Sequence, residues 1–231
     1  MRVRLSRRFV QLPPVLDSWD ESELKEGGQD YKLSAGMFSL YDGNRLQLTT
    51  SRRGDNVLFE LCKNVSLVNI EDFPVIENTY LNIAFTHRTR IQVNKKCNER
   101  FLREQKLPFI ELKQRPNFEK TQDVKLSKGM PVICHTTNKK LNILNSERFT
   151  IESITDTKLI IKDEYRTIEL KTCDFHKFFY LGFCITIHAS QGETFTKKYT
   201  IHDWKFKHFC NRAKYVALSR ATDINNIQIQ A

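Results

Sequence analysis

The chain changes local character twice along its length, and that alternation constrains its fold more than any single motif does. A short apolar segment, Leu81-Asn-Ile-Ala-Phe85, runs into the polar cluster Thr86-His-Arg-Thr89. Beyond it Ile91, Asn94, Cys97, Phe101 and Leu102 fall near helical spacing, which predicts a helix over residues 90–103. The same order returns later, with an apolar stretch at 178–187, a polar turn at 188–194, a strand at 198–202, a helix near 207–218 and a last strand through 226–230. A strand, a polar turn and a helix make the unit from which α/β sheets are built. Between the two, residues 106–123 read as a linker or crossover. Residues 124–172 then hold short β-rich runs at 130–134, 149–154, 158–161 and 166–170, the pattern of a small inserted barrel. The first 65 residues carry Gly27, Gly28, Gly36, Gly43 and Gly54 and read as loops around short helices, the best of them at 21–25 and 57–63.

Composition narrows the partners. With 231 residues and 40% hydrophobic side chains the chain can bury a core. No apolar run approaches the roughly 20 residues that cross a bilayer, so no membrane span is expected. The N-terminus is basic, but Pro13 and Pro14 fall where a secretory signal needs a long apolar stretch. Lys and Arg outnumber Asp and Glu by 37 to 27, a net charge of +10 that favours a polyanionic partner. The six cysteines are scattered. Cys173 and His176 have no second ligand pair nearby, so the expectation is free thiols in a reducing compartment and no metal site.

Three segments carry chemistry. In Ile185-Thr-Ile-His-Ala-Ser-Gln-Gly-Glu-Thr-Phe195 an apolar strand runs straight into small and polar residues, and Gly192 lets backbone approach a ligand. Ligands bind beyond the carboxyl ends of strands in open α/β sheets, where His188, Ser190, Gln191 and Thr194 fall. Tyr215-Val-Ala-Leu-Ser-Arg-Ala-Thr222 reads as a buried helix end from which Arg220 emerges, either as a salt-bridge residue or as a cation for a transferred phosphoryl group. In Phe9-Val-Gln-Leu-Pro-Pro-Val15 two prolines fix the backbone beside Gln11.

Taken in order, these segments resemble the motif set of superfamily 1 DNA helicases of the RecD and PIF type. Gln11-Leu-Pro-Pro-Val15 resembles the end of motif III, and Arg53 (or Arg52) with Asp55 and Phe59 the arginine element after it. Phe85-Thr-His-Arg-Thr89 with Asn94 resembles motif IV, residues 187–195 motif V, and Tyr215-Val-Ala-Leu-Ser-Arg-Ala221 motif VI. Lys128-Gly-Met-Pro-Val132, with Asn145 later, is similar to the start of the Src-homology-3-like (SH3-like) barrel inserted in that family's second motor domain.

The resemblance implies an α/β fold: the second RecA-like domain of a P-loop NTPase, with an inserted small SH3-like β-barrel. Residues 1–78 would be a remnant of the first RecA-like domain, 79–123 and 174–231 the second, and 124–173 the barrel. It implies ATP and Mg2+ as cofactors and single-stranded DNA as partner. Arg220 and Arg53 would be arginine fingers, which contribute on the order of 10³ to 10⁵ in phosphoryl transfer. Gln11 would sense the γ-phosphate. Gln191, Gly192 and Glu193 would lie beside the nucleotide, and Thr86, His87, His188, Ser190 and Thr194 along the single strand.

The chain also departs from the pattern. Arg7-Arg8 stands where motif III carries Gly-Asp, and Asn145-Ser146 where the barrel has Asn-Gly. No Gly-x-x-x-x-Gly-Lys-Ser/Thr phosphate loop occurs. Leu159-Ile-Ile-Lys-Asp-Glu164 imitates a metal-binding strand end but lies within the barrel region, and is read as structural. The expectation is therefore the C-terminal motor portion of an ATP-dependent DNA helicase, unable to hydrolyse ATP alone. A first RecA-like domain would be supplied in cis or by a separate chain. The alternative is a non-catalytic, single-strand-binding helicase relic. An intracellular setting is expected, nuclear or cytoplasmic, and the Lys- and Asn-rich composition hints at a large DNA virus.

Overall fold

The computed structural model describes residues 54–115 and 121–230, together with the backbone of two short strands, β1 (Ser18–Trp19) and β2 (Ser22–Glu23). These two pair antiparallel. Residues 22 and 23 are thus strand where the expected helix at 21–25 would run, and the rest of that stretch lies outside the described residues.

Four parallel strands form the sheet that positions the site. They are β3 (Asn82–Ala84), β11 (Cys184–Thr186), β12 (Tyr199–Ile201) and β13 (Ile227–Ile229), in the order β11-β3-β12-β13. One row across the sheet is Ile185, Ile83, Ile201 and Ile229. It is buried in one apolar cluster with Leu58 and Cys62 of α1 (Asn56–Lys63) and with Ala213, Val216 and Ala217 of a second helix, Asn211–Leu218. A parallel sheet needs cover on both faces, and α2 (His87–Gln105) contacts β3 and β11.

The alternate row is polar: Cys184, Asn82, Thr200 and Gln228. Burial of such groups is tolerated only when they are hydrogen-bonded. Asn82 donates through Nδ2 to the Phe183 carbonyl at 3.1 Å, and Gln228 donates to the Thr200 hydroxyl at 3.2 Å. Gln228 Oε1 also accepts from the backbone amides of Ile76 and Glu77. At the sheet's edge Asn94 of α2 covers the strand: Nδ2 donates to the Cys184 carbonyl at 2.8 Å, and the Cys184 amide donates to Oδ1 at 2.9 Å.

Helix α2 begins three residues before the expected 90, because Thr86 caps it by accepting from the Thr89 amide at 3.1 Å. The other helix starts later than expected, at Asn211. The residues before it are folded into turns around Trp204 and Phe209, whose rings meet edge to face at 5.5 Å.

The second layer is an antiparallel sheet of order β10-β6-β7-β8-β9, from β6 (Pro131–Cys134), β7 (Arg148–Ile154), β8 (Lys158–Lys162), β9 (Thr167–Lys171) and β10 (Phe179–Leu181). Alternate residues Phe149, Ile151, Leu159, Ile161, Ile168 and Leu170 fill its core. The supposed linker at 106–123 contains a strand, β4 (Ile110–Leu112), paired with β5 (Val124–Leu126). The apolar run 178–187 is not one strand. It divides at Gly182, whose amide donates to the Pro131 carbonyl at 2.7 Å. A Cβ there would stand 3.2 Å from backbone atoms of Pro131 and Val132, so a larger residue would push the β10–β11 passage away from β6 by a few tenths of an ångström. Asp163 lies in the β8–β9 turn, accepting from the amides of Tyr165 and Arg166 at 2.7 and 2.9 Å, which is a structural duty. Among the described residues no helix is long and apolar enough to cross a membrane.

Candidate nucleotide and nucleic-acid interface

All four parallel strands end at one edge, and the sequence motifs gather there. After β11 the chain makes a tight turn: the Ser190 amide donates to the Thr186 carbonyl, the Gln191 amide to His188, and the Glu193 amide to Ser190. The Ser190 hydroxyl is buried and donates to the Ile187 carbonyl at 2.8 Å, so it supports the turn from beneath. Gly192 has φ +94, and a Cβ there would meet nothing within 4 Å among the described residues beyond its chain neighbours. The left-handed backbone, not crowding, requires glycine. Gln191, Thr194 and His188 are exposed; partial burial holds the His188 imidazole below its ordinary pKa.

Arg220 folds inward and is 1% exposed. Nε donates to the Val216 carbonyl at 2.9 Å, Nη1 to the carbonyls of Ser190 and Glu193 at 3.3 and 3.2 Å, and Nη2 to the Ser219 hydroxyl at 2.9 Å. The backbones join as well: the Phe195 amide donates to the Arg220 carbonyl at 2.7 Å, and the Thr222 amide to the Phe195 carbonyl at 3.1 Å. The 187–195 turn and the Arg220 segment are thus one unit.

At the end of β3, Thr86 and Thr89 face a carboxylate that the sequence reading missed. Asp203, just past β12, accepts from the Phe85 amide, the Thr86 amide and the Thr86 hydroxyl at Oδ2, and from the Thr89 hydroxyl at Oδ1. Its φ is +65, an uncommon left-handed backbone for a residue other than glycine, though one Asp tolerates. A left-handed turn after β12 is not announced by an Ile-His-Asp-Trp sequence. His87 is exposed, and its Nδ1 accepts from Arg90 Nε at 3.3 Å. Arg90 in turn lies 4.3 Å over the Tyr180 ring, on which His135 stacks at 4.1 Å. Arg148, at the start of β7, is a second missed residue; its Nε stands 3.4 Å from Glu193 Oε1.

The structure therefore brings Gln191, Gly192, Glu193 and Arg220 to one turn, with Ser190 below it and with Thr86 and His87 at the next strand end. Gln11 and Arg53 lie outside the described residues. Asp55 caps α1 through the Leu58 amide and also accepts from the Ile224 amide at 3.2 Å. Among the described residues no three His, Cys, Asp or Glu side chains gather to hold a metal. In the Gln191–Glu193 turn the amides of Gln191 and Glu193 are spent on the His188 and Ser190 carbonyls, and the donors of Arg220 described above are spent inside the fold.

No protein-family model matches the chain, and no curated protein matches it in sequence. Solved structures do match. Two coordinating Pif1 helicases studied on forked dsDNA align over 79% of this chain and 48% of theirs, at 21% identity and a TM-score of 0.58. Pif1 from Bacteroides, in complex with ADP-AlF3 and ssDNA, aligns over 80% and 52%, at 21% identity and 0.56. Pif1 from Candida albicans aligns over 84% and 58%, at 19% identity and 0.55. The chain spans about half the length of these helicases, and across that half it shares the mixed α/β fold of the Pif1 helicases.

Proposed function

We propose that the chain is the motor portion of an ATP-dependent DNA helicase that carries single-stranded DNA across the carboxyl edge of its parallel sheet. One observation carries this: Arg220 fuses the 187–195 turn and the 215–221 segment into one unit at that edge. The shared fold supports it, since a Bacteroides Pif1 of that fold was solved with ADP-AlF3 and ssDNA. The net charge of +10 suits a phosphate track.

In this proposal His87, His188 and Thr194 face the strand with exposed donors, and Gln191, Gly192 and Glu193 face the nucleotide. Thr86 and Ser190 act by holding backbone, because their hydroxyls serve Asp203 and Ile187. Arg220 shapes the turn and acts as a finger only if the nucleotide draws its guanidinium out. Gln11 and Arg53 keep the roles that the resemblance implies, and the antiparallel sheet stands for the expected SH3-like barrel. The phosphate loop and Mg2+ ligands come from a first RecA-like domain, in cis or on another chain.

The test is fluorescence anisotropy of a labelled oligothymidylate titrated with the chain over a salt series, with ATP turnover measured alongside. Salt-sensitive binding without turnover is expected. Absence of binding at low salt would overturn the DNA-track assignment, and turnover by the chain alone would overturn the need for a separate phosphate loop.

A further inference from the structure

Two arginines of the antiparallel sheet are satisfied very differently. Arg166 engages each of its three guanidinium nitrogens: Nη2 on Glu147 at 2.6 Å, Nε on Asp163 at 3.1 Å, and Nη1 on the Asn142 carbonyl. Arg148 does not. Its one ion pair among the described residues is the long contact from Nε to Glu193 Oε1, and its Cζ stands 5.6 Å from the Phe195 ring centroid. Both Nε and Nη2 are buried, with no hydrogen-bond acceptor among the described residues. Native folds keep few buried donors without an acceptor. Neither partner is sealed in, since the Arg148 side chain is 30% exposed and that of Glu193 is 29%.

Position gives this mismatch a use. Arg148, at the start of β7, meets at Glu193 the turn that follows β11, a turn in which Gln191 and Thr194 are exposed. The adjacent carboxylate of Glu147 is taken by Arg166. A guanidinium presents a planar fork of donors that matches two oxygens of a phosphate, and one long carboxylate contact leaves most of that fork unused.

We propose that Arg148 binds a backbone phosphate of the single strand, and that Glu193 is its resting partner, displaced when the phosphate arrives. This rests on the reading that the chain binds single-stranded DNA. It moves Glu193 from a nucleotide contact to a competitor for DNA, and it links the antiparallel sheet to the 187–195 turn through one exchangeable ion pair.

The experiment uses the intact chain, a fluorescein-labelled oligothymidylate and a potassium chloride series, with thermal melting of each variant as a check on folding. Arg148→Ala is expected to weaken binding about tenfold at low salt and to flatten the log–log salt slope by roughly 0.7, one phosphate on a single strand. Glu193→Gln is expected to tighten binding a few-fold, by freeing Arg148, and the double variant to lose that gain. Arg148→Lys should keep the slope and lose part of the affinity. An Arg148→Ala slope equal to that of the unaltered chain would overturn the proposal. So would a Glu193→Gln variant that weakens binding as Arg148→Ala does, because the pair would then be a strut. If Arg148→Ala instead weakens binding of a fluorescent ADP and leaves the DNA slope alone, the phosphate belongs to the nucleotide and the proposal fails. Failure of the unaltered chain to bind the oligonucleotide would bring down the DNA reading itself, a separate result from any of these.

Discussion

Asp203 holds Thr86 by two hydrogen bonds, from its amide at 2.9 Å and its hydroxyl at 3.2 Å, and takes a third from the preceding Phe85 amide at 3.1 Å. The Thr86 hydroxyl has one proton and two lone pairs. It accepts from the Thr89 amide and is within donating distance of Asp203 and the Thr89 hydroxyl. A DNA phosphate would have to compete with a carboxylate for that proton, which is why the exposed His87, one residue on, is the better candidate for direct contact.

Removal of this carboxylate should therefore act on the fold first. Asp203→Ala leaves the Phe85 and Thr86 amides at the start of α2 without their acceptor, a loss of about 2–3 kcal/mol. Asp203→Asn keeps one acceptor oxygen and should cost about half as much. Urea unfolding of both variants checks this, and equal midpoints for Asp203→Ala and the unaltered chain would refute the clamp.

Arg220→Ala should also unfold the site before it reports on chemistry. The carbonyls of Ser190, Glu193 and Val216 would each lose a donor where the side chain is 1% exposed. We expect about 3 kcal/mol or more, from unmade hydrogen bonds and the cavity. Loss of ATP turnover in a complete motor carrying this change would thus not identify an arginine finger unless urea unfolding showed the domain intact.

Ser146 is the opposite case, a position awaiting improvement. It adopts φ +72 where the family pattern has glycine. A side chain in the left-handed region costs on the order of 1 kcal/mol, so Ser146→Gly should raise stability by about that amount. Thermal melting reads it directly, and a lower melting temperature would show that the serine compensates in another way.

His202 makes stability depend on pH. Burial pushes its imidazole down to about 4, and Nε2 lies 3.0 Å from Asn82 Oδ1. The unfolded chain protonates near 6.5 while the folded one resists to about 4, so the unfolded state binds more protons in between. Stability is complete above pH 6.5, falls as pH drops from 6.5 to 4, and is flat in this contribution below that. The loss amounts to about 3 kcal/mol. Burial lowers His176 too, adding loss of the same sign. His202→Gln should flatten the urea midpoint between pH 7 and 5, and an unchanged slope would place the titration elsewhere.

The strand-turn-helix order at 81–105 and the turn after β11 were legible because they rest on local rules: hydrophobic spacing, a capping threonine, a glycine where φ is positive. Helix α1 and the hairpin β8–β9 followed for the same reason. What depends on distant chain was not legible. The sequence singles out Asn94 with the 85–89 segment, but not its partner: Cys184, 90 residues away, is set against it only at the sheet's edge. The run 178–187 has uniform apolar character, and only the approach of Pro131 to Gly182 divides it between two sheets.

By itself, then, the sequence determined the strand-turn-helix order at 81–105, the helix near 57–63 and the β-rich runs between 130 and 170, and it marked the residues at 187–195 and 215–221 as candidates for chemistry. Tertiary structure decided what each polar side chain faces. It turned Arg220 and Ser190 inward, gave Thr86 to Asp203 across 117 residues, and set Arg148 against Glu193. Spacing along a chain limits dihedral angles and the face a residue occupies. The partner of a buried donor or carboxylate is chosen only when the layers close and every polar group inside them must be satisfied.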